Sequence, residues 1–168
     1  MQALLQPFQN ASLDRLSPAD EDILLANIRV LQRAEEARQK GSLLRGKNIG
    51  LMCESEDAEE ALLFRGAAAD LGANVAHIRP SLSELSAPQV LRHTARLLGR
   101  LYDAVECQGL SAELVRLVAS EASVPVYDGI ACAHHLSTRL TRLLGDAGSA
   151  ADMRRLVLQS VLVSTVLR

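Results

Sequence analysis

The fold is decided by residues 48–78, which read NIGLMCESEDAEEALLFRGAAADLGANVAHI. Residues 48–53 form a short apolar run after turn-forming residues, and this pattern predicts a buried parallel strand. Residues 57–71 predict a helix that ends at Gly72, and residues 74–78 predict a second strand. A strand, a helix and a strand in this order predict a right-handed βαβ crossover.

The same unit recurs toward the C-terminus and extends the sheet. The later predicted elements are a helix over 88–101, a strand over 104–107, a helix over 111–122, a strand over 124–127 and a helix over 134–144. Strands that alternate with helices predict an α/β domain, with a four-stranded parallel sheet and helices on both faces. In such a sheet, ligands bind at the edge where the strands end, beside the loops that enter the following helices.

Two further helices are predicted at the ends of the chain. Ser17 is a candidate N-cap followed by Pro18 at the first helical position, and the helix is expected to run to about Lys40 and stop at Gly41. Residues 145–149 form a short linker whose first residue, Gly145, can end the preceding helix. Residues 150–167 predict a final helix with little polar surface.

Composition limits the classes of function. The 168 residues suit one domain, 1–168, and only 2% are aromatic, so the core must consist of Leu, Val, Ile and Ala. The net charge of −2 and the scarcity of aromatic side chains argue against nucleic-acid binding. The apolar stretch 156–167 is about half a membrane span, and the first residues lack a secretory signal, so we expect a cytoplasmic protein without a membrane partner.

A series of short motifs runs through the chain from residue 44 to residue 135. The motifs are LRGK (44–47), LGA (71–73), PS (80–81), HTARLL (93–98) with Arg100 and Asp103, VPV (124–126) with Gly129, and HH (134–135). In this order they resemble the aspartate/ornithine carbamoyltransferase family, and the ornithine branch most. The resemblance implies the fold of that family's carbamoyl-phosphate domain.

The final helix extends the resemblance. Residues 153–157 (MRRLV) and 161–165 (VLVST) are similar to the family's C-terminal helix, which returns from the second domain to pack on the first. The likeness implies that 145–149 stands where a whole amino-acid-binding domain would lie. An internal deletion of the second domain is therefore expected, with the resemblance covering roughly residues 12–168.

The family's phosphate-binding signature, Ser-Thr-Arg-Thr-Arg, is degenerate in this chain. Its aligned positions are Asp57, Ala58, Glu59, Glu60 and Ala61, so both arginines are lost. Opposite charges about 4 Å apart attract by roughly 4 kcal/mol near a protein surface, and a glutamate in place of an arginine reverses that attraction. The resemblance therefore implies that carbamoyl phosphate does not bind in the family's manner.

The acidic residues between 54 and 60 have two alternative interpretations. Asp57 and Glu60 have the spacing of a capping box, and acids favour the positive end of a helix, so the run can simply stabilise the helix. A cation or an arginine-bearing partner at this acidic patch is a further alternative.

Two later positions complete the degenerate site. Gln108 aligns with an arginine that the family uses for the carbamoyl oxygen, and the family's His-Pro-Cys-Gln reads HLST over 135–138, from His135 to Thr138. By resemblance His135 would polarise the carbamoyl carbonyl, although a histidine at a helix start is commonly a cap or a surface residue. Arg96, in the HTARLL motif, is expected to have a structural role.

The cysteines and histidines are candidates for a separate site. Cys53, Cys107 and Cys132 are predicted to lie at one edge of the sheet with His134 and His135. Thiolates and imidazoles suit zinc, but there is no Cys-x-x-Cys pair, so neither a metal nor another cofactor is predicted. A nucleophilic pair of Cys132 and His135 has no distinctive spacing.

Two classes of function remain open. The first is a non-catalytic scaffold or regulatory subunit, which the resemblance implies would form a homo-oligomer (a trimer) or join an active carbamoyltransferase. The second is a residual or repurposed carbamoyltransferase, or a small-molecule binder related to arginine and ornithine metabolism. Its donors would be five polar side chains at the same sheet edge: Gln108, His134, His135, Ser137 and Thr138.

Overall fold

A computed structural model describes residues 5–6, 8, 13–82, 86–132, 137–145 and 148–167. Helices and strands alternate through this part of the chain. The elements are α1 (Pro18–Glu36), β1 (Asn48–Met52), α2 (Glu59–Asp70), β2 (Asn74–Ile78), α3 (Pro88–Leu101), β3 (Ala104–Cys107), α4 (Ala112–Ala122), β4 (Val126–Asp128), α5 (Thr138–Leu144) and α6 (Ala150–Val166). Short 3-10 turns lie at Lys40–Ser42 and Ile130–Cys132.

The four strands form one parallel sheet in the order β2-β1-β3-β4. Gly50 of β1 is in register with Ala76 of β2 and Val105 of β3, and Cys107 of β3 is in register with Asp128 of β4. The predicted fold class, a four-stranded parallel α/β sheet, is therefore confirmed. The strand ends at Met52, Ile78, Cys107 and Asp128 define one carboxyl edge.

Helices cover both faces of the sheet, as predicted. On one face, α1, α2 and α6 enclose a core that includes Leu24, Phe64 and Val161. On the other face, α3 and α4 enclose a second core that includes Leu98 and Val118. Helix α6 packs against both α1 and α2, and no helix among the described residues is long and apolar enough to span a bilayer.

The start of α1 is as predicted, but its end is not. The Ser17 hydroxyl accepts a hydrogen bond from the backbone N–H of Asp20, and the Asp20 carboxylate accepts one from the backbone N–H of Ser17, which forms a capping box. The helix stops at Glu36 and not near Lys40. Arg38 adopts a left-handed conformation with φ of 55°, which breaks the helical hydrogen-bond pattern.

The capping box predicted for α2 was wrong. The helix begins at Glu59, and its N-cap is Ala58, whose methyl group cannot accept a hydrogen bond. Asp57 therefore lies before the helix, where its backbone N–H donates to the Ser55 hydroxyl at 3.3 Å.

The last predicted strand and helix are also shifted. Strand β4 begins two residues later than expected, after Ser123 in a left-handed conformation and Pro125, which has no N–H to donate. Helix α5 begins at Thr138, capped by the Ser137 hydroxyl, and not at His134. His134 and His135 lie outside the described residues.

Two matched motifs have structural roles in this fold. The Asp103 carboxylate accepts hydrogen bonds from the Lys47 ammonium at 3.1 Å and the Asn48 N–H at 2.8 Å, which ties β3 to the start of β1. Burial opposes ionisation of Asp103, but these hydrogen bonds outweigh it and lower its pKa. Arg96 of α3 pairs with Glu121 of α4 at 2.9 Å, consistent with the expected structural role.

Helices α3 and α4 approach each other at Gly99, and this contact yields a prediction. A Cβ atom at Gly99 would lie 1.7 Å from the Ala122 carbonyl oxygen. We expect Gly99→Ala to lower the free energy of unfolding by about 3 kcal/mol, because the helices must separate. Urea denaturation would measure the change against Gly41→Ala, whose Cβ would lie 3.6 Å from its nearest neighbour. Equal stability of both variants would contradict the close approach.

Candidate functional site

Six of the predicted site residues lie at the carboxyl edge of the sheet, at the start of α2 (57–61) and directly after β3 (Gln108). The first turn of α2 carries Ala58, Glu59, Glu60 and Ala61, and Gln108 follows β3 directly. The turn after β4, residues 129–132, comes beside them. This edge is where parallel α/β sheets place their ligands.

The first turn of α2 has unpaired backbone donors but no arginine of its own. No side chain caps the helix N-terminus at Ala58, so its first N–H groups point to the site edge. The Glu59 side chain is 85% exposed, whereas Ala61 is fully buried in the core. The two positions that the resemblance is expected to align with the family's arginines are thus an exposed carboxylate and a core methyl group.

A positive charge reaches this turn from a distant element, α6. The guanidinium of Arg154 lies 3.8 Å from the Glu59 carboxylate and donates a hydrogen bond of 2.8 Å to the Ala131 carbonyl. Its side chain is only 20% exposed. Sequence reasoning missed this residue because only the packing of α6 on α2 brings it to the site.

Gln108 is committed to contacts within the domain. The residue is 6% exposed, and its amide nitrogen donates to the Glu60 carbonyl at 3.3 Å and to the Glu106 carboxylate at 3.4 Å. The side chain thereby joins β3 to the first turn of α2. A ligand could use this donor only after breaking those contacts.

Glu106 is a buried carboxyl group that sequence reasoning also missed. It is fully buried on β3 and accepts hydrogen bonds from the backbone N–H groups of Ile130, at 3.3 Å, and Ala131, at 3.2 Å. Burial raises its pKa to about 8, although the hydrogen bonds act in the opposite direction. One sequence signal could have revealed it, namely an acid within a short strand predicted to be buried.

Thr138 lies apart from the other predicted site residues. It is exposed at the start of α5, and its two neighbours bind α1: the Ser137 hydroxyl donates to the Glu21 carboxylate, and Arg139 pairs with Glu21 at 2.8 Å. Within the part of the chain that the structure describes, no hydrogen bond or ion pair joins Thr138 to α2 or Gln108. The prediction for His135 falls on a residue outside that part.

The cysteines are poorly suited to act as nucleophiles or metal ligands in this structure. Cys53 and Cys107 are buried, Cys132 is half-buried, and all three are free thiols. Burial is the main cause that raises the pKa of Cys107 to about 12 and of Cys132 to about 11, so both stay protonated at neutral pH. Among the described residues, no group of three or more Cys, His, Asp or Glu side chains could hold a metal ion.

A separate groove of about 840 Å³ opens at the opposite, amino edge of the sheet. Lys47 and Asp103 in its wall already pair with each other at 3.1 Å. The groove contains none of the predicted site residues.

Comparison with known proteins identifies the family and agrees with the fold. Residues 9–144 match the family described as "Aspartate/ornithine carbamoyltransferase, carbamoyl-P binding domain". The chain is 38% identical over 121 residues to "Ornithine carbamoyltransferase, catabolic" of Burkholderia mallei, which covers 72% of this chain and 36% of that protein. A protein of the same name from Pseudomonas putida is 35% identical over 133 residues, covering 79% and 40%. The chain thus spans about two fifths of these relatives.

Solved structures show the same fold. The ornithine carbamoyltransferase of Pyrococcus furiosus superposes with a TM-score of 0.60 at 21% identity, over 76% of this chain and 41% of that one. That of Gloeobacter violaceus gives a TM-score of 0.54 at 25% identity, over 73% and 39%.

The buried carboxyl group makes a prediction about pH. An unfolded glutamate ionises near pH 4.5, whereas Glu106 holds its proton to about pH 8 in the folded state. Unfolding therefore releases a proton between these values, and the stability from Glu106 is largest at low pH and falls as the pH rises. Between pH 5 and pH 8 we expect its contribution to the free energy of unfolding to fall by about 3 to 4 kcal/mol.

The measurement is a set of urea denaturation curves over that pH range. The control is Glu106→Gln, which has the same shape but no titrating proton, so its stability should lack this part of the pH dependence. If the wild type and the variant showed the same dependence, Glu106 would not hold its proton in the folded state.

Proposed function

The chain belongs to the aspartate/ornithine carbamoyltransferase family, and we propose from that premise that it is a non-catalytic member, acting as a scaffold or regulatory subunit of an oligomer. By resemblance to the family, its own copies would form a trimer, or it would join an active carbamoyltransferase. The function proposed is structural, in proteins related to ornithine and arginine metabolism.

The proposal rests on the side chains that the first turn of α2 presents. Glu59 presents a carboxylate where the family has an arginine, and Ala61 is buried where the family has the second. The Gln108 amide donates hydrogen bonds to the Glu60 carbonyl and to the Glu106 carboxyl group. A dianionic substrate would meet one partly neutralised arginine, Arg154, beside several carboxylates, which is a poor electrostatic complement.

The position of α6 supports a further part of the proposal. The family match ends at residue 144, where α5 ends, and α6 begins six residues later at Ala150. Helix α6 packs on α1 and α2 within the same core. We infer that α6 takes the place of the family's C-terminal helix and that residues 145–149 replace the amino-acid-binding domain. Catalysis by the family needs both substrates held together, and replacement of that domain would remove one of the two binding surfaces.

A direct assay tests the loss of activity. We expect the purified chain to form no citrulline from carbamoyl phosphate and ornithine, and carbamoyl phosphate to leave its melting temperature unchanged, because a ligand that binds the native state would raise it. The matched variant is Glu59→Arg, whose exposed position tolerates the change and removes the reversed charge. We expect Glu59→Arg to gain a measurable shift with carbamoyl phosphate. Citrulline formation by the unaltered chain would contradict the proposal.

A second candidate function is favoured by one observation, the position of Arg154. Its guanidinium lies 3.8 Å from the carboxylate of Glu59, the first residue of α2, and no side chain caps that helix. A cation close to an uncapped helix N-terminus suits a small anion. Under this alternative the chain binds a small molecule at the carboxyl edge of the sheet and uses Arg154 in place of the family's arginines.

Inorganic phosphate and carbamoyl phosphate distinguish the second candidate from the first. If the chain binds anions at α2, either ligand raises the melting temperature of the wild type, and Arg154→Gln removes the rise because it removes the cation. Arg96→Gln is the matched control, since Arg96 pairs with Glu121 between α3 and α4. A rise that persisted in Arg154→Gln would place the anion elsewhere.

A further inference from the structure

We propose that Glu106 is a proton-controlled latch: while its carboxyl group carries a proton, the turn after β4 (residues 129–132) stays closed on β3 and α2, and loss of that proton lets the turn open. The latch is independent of the proposed scaffold function. It makes the carboxyl edge of the sheet responsive to pH.

The Glu106 side chain links three parts of the carboxyl edge. It belongs to β3 and accepts hydrogen bonds from the backbone N–H groups of Ile130 and Ala131, at 3.3 and 3.2 Å, in the turn after β4. It also accepts a bond of 3.4 Å from the Gln108 amide, which donates at the same time to the Glu60 carbonyl in the first turn of α2. One carboxyl group thus holds both the turn and α2 to β3.

The geometry around Glu106 suits a neutral carboxyl group. Its three hydrogen bonds are 3.2 to 3.4 Å long, whereas bonds to a charged carboxylate are commonly about 2.7 to 2.9 Å long. The side chain is fully buried, and no cation among the described residues forms an ion pair with it. A charged Glu106 would therefore be an unpaired buried charge in the closed turn, which is costly.

The charged groups nearby do not relieve that cost. The guanidinium of Arg154 on α6 donates at 2.8 Å to the Ala131 carbonyl, so it bonds to the turn and not to Glu106. Asp128 of β4 carries a charge of the same sign and opposes ionisation of Glu106. On the α2 side, the nearest side chains at the edge are also acidic, namely Glu59 and Glu60.

The other titratable groups that face Glu106 do not ionise near neutral pH. They are three thiols and a phenol: Cys53 after β1, Cys107 of β3, Tyr127 of β4 and Cys132 of the turn. Burial is the main cause that raises the pKa of each of them, so all four keep their protons at pH 8. Burial also raises the pKa of Glu106, to about 8, so the proton that leaves this cluster first is the one on Glu106.

The direction of the pH effect follows from these two states. When the turn opens, water reaches Glu106, which then ionises near pH 4.5, whereas in the closed turn it ionises near pH 8. The opening equilibrium therefore rises with pH between these two values and levels off above pH 8, where both forms are charged. If opening solvates Glu106 completely, the open population increases about 50-fold between pH 6 and pH 8.

Opening of the turn changes the charge that the edge presents. The bond from Arg154 to the Ala131 carbonyl breaks when the turn leaves, and the guanidinium is then held only by the Glu59 carboxylate, 3.8 Å away. The latch thus couples the protonation of a buried group to the freedom of the one arginine that α6 brings to this edge.

Amide hydrogen exchange followed by NMR tests the latch at the two N–H groups that Glu106 holds. The exchange rates of Ile130 and Ala131 are compared at each pH with those in Glu106→Gln, which has the same shape but no proton to lose. The intrinsic exchange rate at a given pH is the same in both proteins, so the ratio of rates reports opening alone. We expect this ratio to rise about 50-fold between pH 6 and pH 8 and then to level off. A constant ratio would overturn the latch.

Low concentrations of urea separate opening of the turn from unfolding of the whole domain. The reference amide is that of Val105 in β3, which donates to the Pro125 carbonyl at 2.9 Å within the sheet. We expect urea to accelerate exchange at Val105 but not at Ile130 or Ala131, because a local opening exposes little surface. An equal urea dependence at all three amides would mean that the turn opens only when the domain unfolds, and would also overturn the latch.

Arg154→Gln is an independent variant that retains Glu106. It loses the charged donor to the Ala131 carbonyl, so we expect exchange at Ile130 and Ala131 to be about tenfold faster than in the wild type at every pH. After division by the intrinsic rate, its exchange should show the same rise between pH 6 and pH 8 as the wild type. Loss of that rise would assign the titration to the Arg154 contact and overturn the role of Glu106.

Discussion

A parallel sheet is stable only when both of its faces are covered, and this requirement organises the molecule. Helices α3 and α4 cover one face, but α1 and α2 leave part of the other face to α6. The middle of α6 is accordingly buried, from Val157 through Ser164. The packing of the apolar helix α6 on the core thus brings Arg154 to α2, independently of the site residues.

The site edge shows the consequence of that arrangement. Its positive charge comes from Arg154 of α6, which donates to the Ala131 carbonyl, and its backbone donors come from α2. The Gln108 amide donates to the Glu60 carbonyl and to the Glu106 carboxyl group. Glu106 holds the turn after β4 through the backbone N–H groups of Ile130 and Ala131. These contacts fix the geometry of the carboxyl edge between β3, the first turn of α2 and the turn after β4.

The helices and strands could be predicted well from the sequence because short apolar runs and flanking glycines are local signals. β2, α3 and β3 have their expected bounds. The errors arose where a residue took an uncommon conformation, as at Arg38 and Ser123, or where the N-cap was a residue without a hydrogen-bond acceptor, as at Ala58. The resemblance pointed to Glu59 and Gln108, which lie at the carboxyl edge of the sheet, but the contacts of Glu106 and Arg154 depend on neighbours distant in sequence.

The contact at Gly99 has a mechanical consequence. Backbone meets backbone where α3 crosses α4, and the Arg96–Glu121 pair reinforces the same crossing. We therefore expect the two helices to move as one rigid unit, because neither can slide without the other. A displacement of α3 would therefore be transmitted through α4 to β4.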